Sequence, residues 1–255
     1  YQLGLLYAKG QGVPQDYHEA CTWFLKAAEQ GDPNAQFNIG VSYSNGQGVP
    51  KDYDQARTWF LKAAKQGHAI AQYKLGLLYA NGQGVPQDYE QASTWFLKAA
   101  EQGDPDAQCG LGFLYEMGQG VPQDYEQART WFLKAAKQGD PDAQYHLGFL
   151  YANGQGVPQD YDRARMWFLK AAKQSNPGAE YQIGLLYAKG GGVPQDFERA
   201  SMWFLKAAKH GHANAQFNIG VSYSDGRGVL QDFKRASMWF LKAAKQGHAN
   251  AQFNI

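Results

Sequence analysis

The sequence predicts an all-α solenoid, built from seven tandem helix–loop–helix repeats. Three observations lead there. The chain has 255 residues, or 7 × 36 + 3, and its seven tryptophans recur at a constant step of 36: Trp23, Trp59, Trp95, Trp131, Trp167, Trp203 and Trp239. Gly4, Gly40, Gly76, Gly112, Gly148, Gly184 and Gly220 keep the same step. Within each step, two segments of helical periodicity flank a Gly-x-Gly loop. A fixed period without insertions marks an array in which each copy buries its apolar face on its neighbours. It excludes a single globular enzyme, and length per domain is no guide to such a chain. Residues 1–255 are therefore read as one array.

Residues 34–69 serve to justify each element. In the first helix, Ala35, Phe37, Ile39 and Tyr43 form an apolar stripe, and Gly40 marks a close approach to another helix. Gly46 is free to take positive φ and predicts the helix stop. Gln47, Gly48 and Val49 make a short loop, and Pro50 prevents the helix from continuing. Asp52 is placed to N-cap a second helix, with Gln55 three residues on as in a capping box. Tyr53, Ala56, Trp59, Phe60, Ala63 and Ala64 follow at steps of three and four, one buried stripe. Lys62 and Lys65 complement the dipole of the last turn, and Gly67 ends it. The small residues predict closely spaced antiparallel helices, with the Trp filling the gap between them.

Both chain ends fall inside a first helix, since Tyr1 aligns with Phe37 and Ile255 with Ile39. The expectation is an array that continues beyond residues 1–255, with any targeting segment outside them. Hydrophobic content of 44% with 15% aromatics supports a packed core and excludes a disordered chain. No apolar run approaches the roughly 18 residues of a membrane span. A net charge of +1 gives no electrostatic footprint for nucleic acid. The distribution is uneven: residues 1–127 carry 8 Lys/Arg and 14 Asp/Glu, net −6, whereas residues 128–255 carry 16 and 9, net +7. Ordinary solvated faces explain this; a polarised partner or head-to-tail self-association is the alternative. Cys21 and Cys109 lie at unrelated repeat positions more than two repeats apart, so both are expected as thiols.

The pattern A-Q-[YF]-x-[LI]-G-x-x-Y-x-x-G-x-G-V-P-x-D-[YF]-x-x-A-x-x-W-F-x-K-A-A-x-Q-G, as in Ala71 to Gly103, resembles the Sel-1-like repeat. That family is an α/α relative of the tetratricopeptide repeat, and the resemblance covers the whole chain. It implies a right-handed superhelix acting as an adaptor or scaffold, with the first helices lining the concave side. Members of the family work in protein-degradation complexes in eukaryotes, and with host proteins, signalling partners or envelope machinery in bacteria. The near-identity of the copies looks more bacterial. A cysteine-rich bacterial branch linked to penicillin binding carries a cysteine pair in each repeat. This sequence lacks those pairs, so that activity does not carry over.

Seven copies can be compared with each other. Positions fixed between copies are explained by packing, and the variable ones are the informative ones. In the first helix the variable slots are those of Asn34, Asn38, Val41 and Asn45, spaced to share one face opposite the packed stripe. The slot of Val41 is apolar throughout, and amides and charges flank it, which suits a peptide or protein surface. Apolar content peaks in the middle copies. The candidate binding residues are Lys74, Leu77 and Asn81 in copy three, Phe113, Glu116 and Met117 in copy four, and His146, Phe149 and Asn153 in copy five. The alternative for the apolar slot is packing on an adjacent helix. On the second helices, Leu25, Leu61, Leu97, Leu133, Leu169, Leu205 and Leu241, with Met166, Met202 and Met238, form a ridge. It reads as flank packing between repeats or as a second contact surface.

No constellation for catalysis is present. The six histidines include His68, His212 and His248 in one loop slot, one or more repeats apart, too distant to share a zinc ion with ligand distances of about 2 Å. The Gly-x-Gly ends a helix and does not join a strand to one, so it is no phosphate loop. No nucleophile motif occurs. The expectation is a non-catalytic scaffold that binds a protein or peptide partner in a concave groove, without cofactor or metal. The alternative is an accessory array of an envelope or signalling enzyme whose catalytic part lies outside this chain.

Overall fold

The structure, a computed structural model, describes residues 1–253, and all regular structure among them is helical. Copies one to three supply α1 (Gln2–Lys9) and α2 (Tyr17–Glu29), α3 (Pro33–Asn45) and α4 (Tyr53–Lys65), and α5 (Ala69–Asn81) and α6 (Tyr89–Glu101). Copies four and five supply α7 (Pro105–Met117) and α8 (Tyr125–Lys137), then α9 (Pro141–Asn153) and α10 (Tyr161–Lys173). Copies six and seven supply α11 (Pro177–Lys189) and α12 (Phe197–Lys209), then α13 (Ala213–Asp225) and α14 (Phe233–Lys245), after which α15 (Ala249–Phe253) opens. Ile255, expected inside that last helix, lies outside the described residues. The chain forms two compact units, one ending at Trp131 and the other beginning at Phe132, within α8. In the first unit each helix from α1 to α7 packs on the next, and in the second the same holds from α9 to α15.

The helix starts follow the sequence. Asp52 Oδ1 accepts a hydrogen bond from the Gln55 N–H at 3.0 Å, and Asp16, Asp88, Asp160, Asp196 and Asp232 cap their helices in the same way. The reciprocal half of a capping box does not form. The Asp52 N–H instead donates to the Tyr43 carbonyl at 2.9 Å, as Asp16 does to Tyr7 and Asp88 to Tyr79. That bond ties the start of each second helix back to its own first helix and fixes the loop between them. Gly46 caps α3 in the left-handed conformation. Gly48, at φ +74°, presses on the neighbouring copy: a Cβ there would overlap the carbonyl of Tyr17.

The two helices of a copy meet where a glycine faces a ring. A Cβ on Gly40 would lie 2.7 Å from the Phe60 ring, and Phe60 is itself fully buried. Gly4 and Phe24, Gly76 and Phe96, and Gly184 and Phe204 repeat the arrangement. The Trp, expected in this gap, does something else. Trp59 joins Ala20, Phe24 and Ala28 of α2 and Ala35 and Ile39 of α3 in one cluster, so it seals the junction with the preceding copy. The Phe beside it fills the gap within the copy, because only its position on α4 faces the glycine. Lys62 then lays its ammonium 3.8 Å from the Trp59 ring centroid, adding a cation–π contact at the outer edge.

Gly40→Ala should therefore destabilise the first unit by about 1–3 kcal/mol, because a buried ring has nowhere to move. Urea denaturation followed by circular dichroism measures this, and an unchanged midpoint would show that the pair can spread.

Candidate functional site

Of the variable slots of the first helix α3, Asn34 and Asn45 are exposed, and Asn38 and Val41 are half-buried. In the first unit, Lys74 and Leu77 of α5 are half-buried and Asn81 is exposed. Leu77 packs against the cluster of Phe96 and Leu111. On α7, Phe113 and Met117 are 40% and 49% exposed. Glu116 differs from them: it is only 4% exposed, and its carbonyl accepts from the Gln123 side chain at 2.9 Å. It sits one position from the open face, in a slot held by Ala or Ser in the other copies, and burial withdraws its carboxylate from a partner's reach.

In the second unit, His146 of α9 stacks on Phe132 at 4.8 Å, and Phe149 is half-buried against the cluster of Phe168 and Ile183. Asn153 is exposed, with its amide donating to the Phe149 carbonyl at 3.1 Å. The apolar slot thus serves packing and surface together, with Phe113 its most open member. On the second helices, Leu97, Met166, Leu169, Met202, Met238 and Leu241 are exposed, whereas Leu25, Leu61 and Leu205 are half-buried.

The histidines have a structural role. His68 Nδ1 accepts from the Ala71 N–H at 3.1 Å and His212 Nδ1 from the Ala215 N–H at 3.2 Å, replacing the Asp caps of Asp32, Asp104 and Asp140. Each also stacks on a ring of the preceding first helix, His68 on Phe37 of α3 and His212 on Tyr181 of α11. Burial pulls the pKa of both below the ordinary 6.5. Among the described residues, no group of three or more His, Cys, Asp or Glu is placed to hold a metal ion, and no helix is long and apolar enough to cross a membrane. Cys21 and Cys109 are thiols. Burial raises the pKa of Cys21, whose Sγ–H donates to the Gln47 carbonyl at 3.2 Å.

A buried polar ladder escaped the reading of the sequence. The Gln36 amide donates to the Ala28 carbonyl at 3.1 Å, and its oxygen accepts from Gln66 at 2.8 Å. Gln72 repeats both bonds, to Ala64 and from Gln102, and Gln216 repeats them with Ala208 and Gln246. Copy six breaks the pattern with Glu180, a fully buried carboxylate. Lys206 Nζ lies 3.1 Å from its Oε1 and His210 Nδ1 lies 2.8 Å from its Oε2. A carboxylate cannot donate to the Ala172 carbonyl, and Lys206 supplies that bond at 3.3 Å. The signal was present in the sequence as Glu180 and His210, the two departures from Gln at slots exactly one bond apart in the ladder.

Helix-pair repeats of constant length, stacked in order, define an α/α solenoid. The chain belongs to the Sel1 repeat family, whose pattern matches seven times, over residues 1–32, 33–68, 69–104, 105–140, 141–176, 177–212 and 213–248. Its fold is similar to that of c5321, a protective antigen of uropathogenic Escherichia coli, with 39% identity and a TM-score of 0.85 over 100% of this chain. The chain spans 55% of the length of that protein. A Sel1 repeat protein from Oxalobacter formigenes is similar at 42% identity and a TM-score of 0.83, covering 98% of this chain and 72% of its own. No curated protein matches the chain. Sel1 repeat proteins are generally non-catalytic scaffolds for protein interaction.

Two outcomes test this chemistry. Lys206→Met should cost about 2 kcal/mol, because it strips a donor and a counter-charge from a buried carboxylate. With Glu180→Gln already in place the same change should cost less than about 1 kcal/mol, since the amide can donate to Ala172 as Gln does elsewhere. Equal costs in a denaturation cycle would dissolve the proposed coupling. The histidine caps give the second outcome. Their pKa is lowered by folding, so the unfolded chain binds more protons below 6.5. The stability they supply is complete above that pH and is lost as pH falls through it towards the folded values. His68→Asp with His212→Asp should flatten the fall in melting temperature between about pH 7 and pH 5. A slope equal to the parent's would place the pH dependence elsewhere.

Proposed function

We propose that the chain is a scaffold that holds a protein or peptide partner on the variable faces of its first helices, the faces expected to line a concave groove. The observation that carries this reading is the slot of Val41. It is apolar in every copy, its residues vary from Val to Leu to Phe, and at Phe113 it stands 40% exposed. Polar residues of changing type flank it, which gives each copy a different combination of apolar contact and hydrogen-bonding group.

In the first unit the strongest anchor is the pair Phe113 and Met117 on α7, an aromatic ring beside a flexible thioether. Lys74, Leu77 and Asn81 on α5 add a cation, an apolar edge and an amide. In the second unit His146, Phe149 and Asn153 on α9 offer an aromatic and amide surface. Glu116, being buried, supports α7 and is not part of the contact.

The test is affinity capture of partners followed by a dissociation constant measured with the purified partner. Phe113→Ala with Met117→Ala should weaken binding by at least about tenfold while helicity stays intact. A loss of helicity would make these rings structural. Undiminished affinity in a folded variant would move the contact to the exposed Met166–Met202–Met238 ridge.

A further inference from the structure

A cavity of about 190 Å³ opens between α11, α12 and α13, within the second unit. Leu185, Phe204 and Val221 form its apolar wall, and Lys189 and Arg227 also line it. Comparison of the copies explains the opening. The slot of Ser222 holds a leucine in five copies, Leu6, Leu78, Leu114, Leu150 and Leu186. The slot of Ser201 holds Arg57, Arg129 and Arg165, and the slot of Val221 holds Phe113 and Phe149. Three shortened side chains converge on one junction, and the space they vacate stays open.

The polar groups of the cavity divide into satisfied and unsatisfied ones. The Ser222 hydroxyl donates to the Asn218 carbonyl and the Ser201 hydroxyl to the Arg227 carbonyl, each at 3.0 Å. The cations are different. Lys189 and Arg227 are both exposed, and Asp225, 3.8 Å from Arg227 Nε, balances only one of them. Size and charge then select the ligand. Sites for drug-sized molecules occupy about 300 Å³ or more, whereas an apolar cavity of about 150 Å³ takes a guest as large as benzene. The volume here matches one large apolar side chain, and the excess positive charge calls for a carboxylate beside it.

The geometry points to a recognition pocket for an acidic peptide segment that presents a Leu- or Phe-sized side chain between Leu185 and Val221 and its flanking carboxylates to Lys189 and Arg227. This deepens the scaffold reading and rests on it, since Leu185 and Val221 occupy the same first-helix slot as Phe113. The lining recurs once in the sequence, as Leu5, Lys9, Cys21, Val41 and Ser42 in copies one and two. There Cys21 donates to the Gln47 carbonyl as Ser201 does to that of Arg227. None of the middle junctions has the combination. Gln47 in place of Arg227 makes the first of the two junctions the less selective for charge.

The experiment is methyl NMR on the whole chain, labelled at Leu, Val and Ala, titrated with an acetylated, amidated Gly-Glu-Leu-Glu-Gly peptide and its Gly-Gln-Leu-Gln-Gly counterpart. The acidic peptide should shift the methyls of Leu185, Ala188 and Val221 saturably, and the neutral one should bind roughly tenfold more weakly. Ser222→Leu restores the residue of five other copies, so it keeps the fold, and it should abolish the shifts. Arg227→Gln should weaken the acidic peptide several-fold. Unmoved methyls at millimolar peptide, equal affinity of the two peptides, or equal shifts in Ser222→Leu would each overturn the pocket. The titration is repeated in the Phe113→Ala, Met117→Ala protein. Pocket shifts that persist while that variant still captures its partner fault the Phe113 anchor alone, and Phe113-dependent capture without pocket shifts faults the pocket alone.

Discussion

The contact on which the fold depends is the one between a glycine and a phenylalanine. Gly40 brings α3 against the Phe60 ring at a distance no side chain on that position would permit, and the same pair recurs along the chain. Because the ring is buried on all sides, this contact sets the spacing of the two helices of a copy. Spacing within the copy then determines where everything else lands. The Asp52 N–H reaches the Tyr43 carbonyl only if the second helix starts beside the end of the first. Close packing makes such an arrangement stiff, since a small change in helix separation leaves voids or overlaps throughout the junction.

Copies are joined by different residues from those that hold each copy together. Trp59 reaches back to the cluster of the preceding copy, and Gly48 lets the loop lie against the carbonyl of Tyr17. Beneath them runs the glutamine ladder, in which each amide has a backbone acceptor and a donor from the next helix. The ladder satisfies the buried amides of Gln36, Gln72 and Gln216, and it repeats because the junction repeats. Copy six shows what happens when one member changes. Glu180 removes a donor and adds a charge, and Lys206 and His210 meet both consequences. That junction is chemically distinct from its neighbours, and it adjoins the copies that form the cavity at Leu185 and Val221.

In the proposed reading, function is carried by what this framework leaves over. With the packed stripe committed to the core, the first helices expose one face whose residues can vary without disturbing the spacing. The variation is not uniform. In copy four it produces an exposed ring and thioether; in copies six and seven it produces shortened side chains and an open cavity with cations beside it. On that reading, one set of helices presents both a projecting anchor and a receiving pocket.

The repeat was legible in the sequence as a constant step of 36 residues, and the helices, the Asp caps and the glycine stops because each depends on residues close together in the chain. The candidate binding face rests on a spacing along one helix. What the sequence could not decide was which partner each buried side chain meets. Trp and Phe are adjacent on the second helix and equally apolar, and only packing assigned Phe60 to its own copy and Trp59 to the previous one. Gln36 reads as an ordinary polar residue until the Ala28 carbonyl and Gln66 are brought to it. Glu116 reads as a surface charge until α7 is seen to turn it inward. The histidines look like ligands or bystanders until His68 is found against the Ala71 N–H. In each case the spacing assigned the residue's helix and register, while its partner was decided by how the helices come together: within the copy for Phe60, at the junction with the preceding copy for Trp59 and Gln36, and at the first turn of α5 for His68.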